Sequence, residues 1–134
     1  MKNKISIGIV DDEPDAVALI EMIIKEFCHE AEVVMTANLI DQAWEKIKQT
    51  KPELLILDID MPRGSGFDLL ERFPIRKFDV VFVTAFSKYR DKAKRYGAYD
   101  YLLKPLDIER FTGIIRRFDA ERSARTAVSF KLKP

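Results

Sequence analysis

Four short stretches hold the side chains best suited to act together: Asp11-Asp12-Glu13, Asp58 with Asp60 two positions on, Thr84, and Lys104-Pro105. Each stands directly after an apolar, mostly β-branched run. If those runs are parallel strands of one sheet, their carboxyl ends share an edge and the four stretches converge there. Three or more carboxylates brought together repel one another, and each resists ionisation unless a cation sits among them. Hard oxygen donors with room for water suit Mg²⁺, whereas one His and one Cys in the whole chain offer little to a softer metal. Lys104 and Thr84 add a positive charge and a hydroxyl, both matched to phosphate oxygens. A carboxylate, a divalent cation, a lysine and a hydroxyl make a site for phosphoryl transfer onto the carboxylate, with aspartate as nucleophile.

The elements that must position these residues follow from hydropathy. Apolar runs recur at Ile5 to Val10, Val33 to Met35, Leu54 to Leu57, Val80 to Val83 and Tyr99 to Leu103, and each precedes a segment with helical spacing. Pro14 suits a first helical position, and Ala16, Ile20, Ile23, Ile24 and Phe27 line one helix face. Asn38 is placed to cap a second helix with the stripe Leu39, Ala43, Trp44 and Ile47. A short third helix spans Gly66 to Phe73, stopped by Pro74, and Gly64-Ser65-Gly66 reads as tight-turn chemistry. A fourth runs from Ser87 to Tyr96, ending at Gly97, and a fifth starts at Asp107 and buries Ile108, Phe111, Ile115 and Phe118. Strand–helix alternation with near-continuously apolar strands predicts a doubly wound α/β domain with a five-stranded parallel sheet covered on both faces. Residues 1–122 form this domain; 123–134, without clear periodicity, read as a frayed helix end and a linker toward an output domain absent from the chain.

Composition bounds the alternatives. A chain of 134 residues, 47% apolar and 34% charged, is one globular domain, large enough to fold without staples. Cys28 is the single cysteine, so no intrachain disulfide forms, and its apolar helical setting makes it a buried thiol. No apolar stretch is long enough for a signal peptide or a membrane span, which indicates a cytoplasmic protein with no membrane partner. The net charge of +1 hides a split: residues 1–67 hold 7 basic and 13 acidic groups, and residues 68–134 hold 16 and 9. The excess acids include the strand-end carboxylates, and the excess bases fall on the fourth and fifth helices.

The segments IVDDEP (9–14), LLILDIDMPRGSG (54–66), VFVTAF (81–86) and YDYLLKPLD (99–107) resemble the successive motifs of a bacterial two-component response regulator receiver domain, over about residues 4–120. VFVTAF with Lys88-Tyr89-Arg90, and Gly97-Ala98-Tyr99-Asp100-Tyr101, further resembles receivers attached to LytTR-type DNA-binding domains. The resemblance implies a flavodoxin-like (β/α)₅ fold with strand order 2-1-3-4-5. It implies that Asp58 is phosphorylated by a sensor histidine kinase with Mg²⁺ held by the Asp12 and Asp58 side chains and the Asp60 backbone carbonyl, with Asp11 reached through water. Thr84 and Lys104 would contact phosphoryl oxygens, Lys104-Pro105 would be a cis peptide, and Tyr101 would be the aromatic whose ring turns inward when Thr84 moves. Asp60 and Phe86 occupy positions that tune acyl phosphate hydrolysis in the family; the large Phe86 is expected to shield the phosphoryl group. The output would pass through the fourth helix, fifth strand and fifth helix, as a homodimer or partner surface, with DNA reached only through the absent output domain.

Simpler and competing readings remain open at this level. Asp58 alone would serve as a turn cap, Asp11-Asp12 as acids favouring a helix dipole, and Thr84 as an ordinary strand residue. Asp58-Ile59-Asp60, a later threonine and a later lysine also fit a haloacid-dehalogenase-type phosphatase, with Asp58 as nucleophile and Asp60 as acid/base. Against that, the acidic pair stands at the first strand, not after the lysine strand. A pseudo-receiver acting only as an interaction module is the third reading.

Overall fold

In a computed structural model, residues 3–132 are described, with side-chain surroundings described through residue 125. The elements in chain order are β1 (Ile5–Val10), α1 (Pro14–Phe27), β2 (Ala31–Ala37), α2 (Ile40–Thr50), β3 (Leu54–Leu57), β4 (Asp60–Met61), β5 (Gly64–Ser65), α3 (Gly66–Glu71), β6 (Asp79–Thr84), a 3₁₀ turn (Ser87–Tyr89), α4 (Arg90–Arg95), β7 (Asp100–Leu103) and α5 (Ile108–Leu132). The main sheet is parallel and ordered β2-β1-β3-β6-β7, which is 2-1-3-4-5 when only its own strands are counted. β4 and β5 form a separate antiparallel pair that the hydropathy pattern did not announce.

Strand alternation divides the core in two. Ile5, Ile7, Ile9, Leu54, Ile56, Val81 and Val83 face α1 and α5, where they meet Ile20, Ile23, Ile24, Phe111, Ile115 and Phe118. Leu55, Leu57, Val80 and Phe82 face the other way, onto Ile40, Ala43, Ile47, Phe67 and Leu70. Burying each such Leu, Ile or Phe side chain contributes about 1.5–3 kcal/mol, which is why a sheet covered on both faces needs runs that are apolar throughout. Cys28 is buried, and burial pushes its thiol up to about 11, so it stays protonated and acts as a small apolar side chain.

Helix ends differ from the sequence expectation in ways that share a cause. Phe27, Leu39 and Ile108, expected on buried faces, are 51%, 41% and 39% exposed. Each sits at or beside a helix terminus, past the edge of the sheet that covers the middle of the stripe. Asn38 does not cap α2: Leu39 is the N-cap residue, and the Asn38 N–H instead donates to Gln42 Oε1 at 3.0 Å. The expected helix from Ser87 begins with the 3₁₀ turn, and the expected fifth strand begins one residue late, at Asp100, although the Tyr99 N–H still donates to the Val80 carbonyl at 2.7 Å. α5 continues to Leu132 through most of the stretch read as a linker; residues 133–134 lie outside the described residues.

Candidate functional site

Register alone brings the polar stretches together. β1 and β3 pair Val10 with Leu57, so Asp11 and Asp58 emerge side by side, and the Asp58 N–H still donates to the Val10 carbonyl at 2.9 Å. β6 and β7 pair Thr84 with Leu103, so Lys104 leaves the sheet next to Thr84, and its N–H donates to the Thr84 carbonyl at 2.8 Å. The Lys104–Pro105 peptide is cis.

Asp11 and Asp58 are buried, at 2% and 6% exposure, and Asp12 is half-buried. One carboxylate oxygen from each of the three lies within 4.8 Å of the others. The Lys104 ammonium reaches Glu13 at 2.7 Å, Asp11 at 3.0 Å and Asp58 at 3.4 Å. Burial and then the charge of Asp11 push the Asp58 carboxyl up to about 6, against the pull of Lys104 and of the Ile59 N–H, which donates to Asp58 Oδ1 at 2.8 Å. Burial works against the Lys104 charge, but its hydrogen bonds to Glu13 and Asp11 and the nearby Asp58 outweigh it and hold the ammonium above its ordinary value. Glu13 is in turn held below the usual carboxylate range by its bond to Lys104. One ammonium therefore faces three carboxylates with Asp12 close by, and the excess negative charge is what a divalent cation would offset. Asp11, Asp12 and Asp58 are all hard oxygen donors, so the residues present fit Mg²⁺.

The acceptor loop is shaped by residues whose sequence signal is partial. Ser65 accepts the Asp68 N–H and the Asp68 carboxylate accepts the Ser65 N–H, a capping box that fixes the start of α3, where glycine turns alone were expected. A Cβ on Gly66 would lie 2.4 Å from the Asp58 carbonyl oxygen and 3.0 Å from the Leu57 side chain. Gly66→Ala is therefore expected to cost about 1–3 kcal/mol by overpacking, read by urea unfolding, since the obstructing atom is backbone and has little room to yield.

Thr84 is fully buried, and its Oγ1 accepts the Phe86 N–H at 3.4 Å. The Phe86 carbonyl accepts the hydroxyl of Tyr101, whose ring is buried against Phe82 and lies beneath the Arg90 guanidinium at 4.8 Å. One peptide segment thus links Thr84 to Tyr101. The Phe86 ring itself is 44% exposed, with the Lys88 ammonium 5.3 Å from its centre. The Asp60 side chain is outside the three-acid cluster: it is exposed, and its Oδ1 accepts the Tyr89 hydroxyl at 3.3 Å. The sequence groups Glu13 with the strand-end acids without giving it a partner, and it carries no signal for Tyr89 as a site residue. Glu13 stands in an acidic run that a helix dipole would equally explain, and contacts of Tyr89 depend on how two loops fold toward each other.

Comparison with known proteins bears on the chain as a whole. The family model for the response regulator receiver domain matches residues 7–116. The chain is 36% identical over 115 residues to the sensory transduction protein LytT of Enterococcus faecalis, covering 84% of this chain and 47% of that protein. It is 36% identical over 120 residues to the transcriptional regulatory protein BtsR of Escherichia coli, covering 89% and 50%. The chain thus spans about half the length of the curated relatives it matches. Among solved structures, the REC domain of AraT, a response regulator from Geobacillus stearothermophilus, superposes with a TM-score of 0.80 at 25% identity, covering 90% of this chain and 97% of that one.

Proposed function

Since the chain belongs to the response regulator receiver family, with LytTR-type regulators among its relatives, we propose that Asp58 is the phosphoacceptor of a two-component switch. The observation that carries this is the pairing of a buried Asp58 with Lys104 at 3.4 Å beside two further acids that follow β1. An Asp58 carboxylate oxygen attacks the phosphorus of a phosphohistidine on a sensor kinase; the P–O bond forms as the P–N bond breaks, and the histidine nitrogen leaves. Lys104 offsets charge on one phosphoryl oxygen. Thr84, whose oxygen only accepts from Phe86, has its own O–H to donate to another. Asp11, Asp12, Asp58 and the Asp60 carbonyl would hold Mg²⁺, which supplies charge neutralisation at the transferring group.

Drawing Thr84 toward the phosphoryl group shifts Phe86, and through its carbonyl Tyr101 on β7. That route would carry the change to the face of α4, β7 and α5, where a second copy or another partner binds. Phe86, half-exposed beside the site, would slow hydrolysis by limiting access. Residues 1–122 act as the receiver and 123–134 as the connection to an output domain that regulates transcription by binding DNA, in a cytoplasmic protein. Among the described residues no helix is long and apolar enough to cross a membrane. The phosphatase alternative needs the Asp60 carboxylate at the acceptor, whereas it is bonded to Tyr89 and the acids beside Asp58 follow β1.

Acetyl phosphate tests the reading. With Mg²⁺ the protein is expected to gain one phosphoryl group by intact mass, with none gained in EDTA, and light scattering of the same samples reports whether association follows. No mass gain with Mg²⁺ would leave only the interaction module.

A further inference from the structure

The Tyr89 ring and the Tyr89 hydroxyl do separate things. The ring is half-buried, meets Phe67 at 6.1 Å and Phe86 at 6.4 Å edge-on, and lies under the Lys88 ammonium at 5.1 Å. Phenylalanine would satisfy all of that. The hydroxyl reaches across to the first residue of β4 and donates to Asp60 Oδ1, two residues after the acceptor. It is a side-chain bond tying the segment between β6 and α4 to the acceptor loop, and it engages a carboxylate that no ammonium or guanidinium pairs with among the ion pairs of the described residues.

We propose that Tyr89 is a positioning residue: its hydroxyl holds the Asp60 carboxylate against the start of α4 and so keeps it from the water that would hydrolyse a phosphoryl group on Asp58. This rests on the assignment of Asp58 as phosphoacceptor. In that hydrolysis a water oxygen attacks phosphorus, the P–O bond to Asp58 breaks with its electron pair returning to the carboxylate, and a proton passes to solvent, leaving inorganic phosphate. A carboxylate released from Tyr89 can accept a hydrogen bond from the attacking water and orient it, which favours attack. Held on Tyr89, it does not. The same bond restrains the 3₁₀ turn, so lifetime of the phosphoryl group and order of the segment leading into α4 are set together.

The test compares wild type, Tyr89→Phe, Asp60→Asn and the double variant. After phosphorylation with acetyl phosphate and Mg²⁺ and removal of the donor, loss of the phosphoryl group is followed by intact mass. Tyr89→Phe is expected to lose it about 3- to 10-fold faster, the population change expected from one lost exposed hydrogen bond. In the Asp60→Asn background, Tyr and Phe at position 89 are expected to give the same rate, because the hydroxyl acts through the Asp60 carboxylate. A Tyr89→Phe rate equal to wild type, or an acceleration that persists in the Asp60→Asn background, overturns the proposal. Hydrogen exchange of the unphosphorylated proteins reads the restraint without any phosphate: amides over residues 86–90 are expected to exchange faster in Tyr89→Phe. If the wild type takes up no phosphoryl group, the acceptor assignment fails, and exchange alone decides whether Tyr89 restrains this segment; unchanged exchange overturns that too.

Discussion

Asp58→Asn is expected to unfold at higher urea than wild type at pH 7 while losing all phosphoryl uptake. In the unfolded chain the Asp58 carboxyl ionises near its ordinary 3.8, and in the folded protein it is pushed up to about 6. Between those values the folded state keeps a proton that the unfolded state has released. Folding stability therefore falls as pH rises from about 4 to about 6, and the penalty stays constant above that. A rise from 3.8 to about 6 corresponds to about 3 kcal/mol. Asparagine carries no charge to bury, so most of that is recovered, less whatever the lost contact with Lys104 contributed. A gain of about 2–3 kcal/mol is expected in EDTA at pH 7, shrinking to nothing near pH 4. Mg²⁺ should narrow the gap, since a cation held better by the native carboxylates stabilises wild type by mass action. Equal unfolding midpoints for the two proteins across this range would mean that Asp58 is not under electrostatic load.

Lys104→Met should do the reverse. The ammonium is the one cation contacting Asp11, Glu13 and Asp58 among the ion pairs of the described residues, and methionine leaves two buried carboxylates facing each other. Breaking a buried pair by deleting one partner costs about 3–5 kcal/mol when the stranded charge has no escape. Here it has one: Asp58, already raised to about 6, takes up a proton, which limits the further loss at pH 7 to about 1.4 kcal/mol. With its carboxyl raised still further, the variant loses stability as pH rises, and the gap to wild type closes toward pH 5. Phosphoryl uptake is expected to fall about 100-fold or more, the usual effect of removing a charge-stabilising donor from a transfer site. Uptake within a few-fold of wild type would place the charge stabilisation elsewhere.

What the sequence disclosed and what it concealed divide along a physical line. Runs such as Leu54 to Leu57 are buried on both faces, so their composition alone specified central parallel strands, and parallel strands deliver whatever follows them to one edge. That alone directs Asp11, Asp58, Thr84 and Lys104 to one edge of the sheet. A helical stripe, by contrast, says which way a helix faces and not where its cover stops, which is why Phe27, Leu39 and Ile108 emerged exposed. The Lys104–Glu13 bond joins residues 91 positions apart in sequence, and Tyr89–Asp60 joins residues 29 apart. Neither is periodic, so no local pattern encodes it.

The fifth helix of the fold also has the length of a lever. Its first half is pinned close to Tyr101 by Arg117, which pairs with Asp100 at 2.7 Å, and farther along by Arg122, which reaches Glu53 at 3.1 Å. Its 25 residues extend about 37 Å at 1.5 Å per residue. If both pairs gave way, a tilt of roughly 10° at the end nearest the acceptor would sweep the other end through about 6 Å, a stroke comparable to one helical turn.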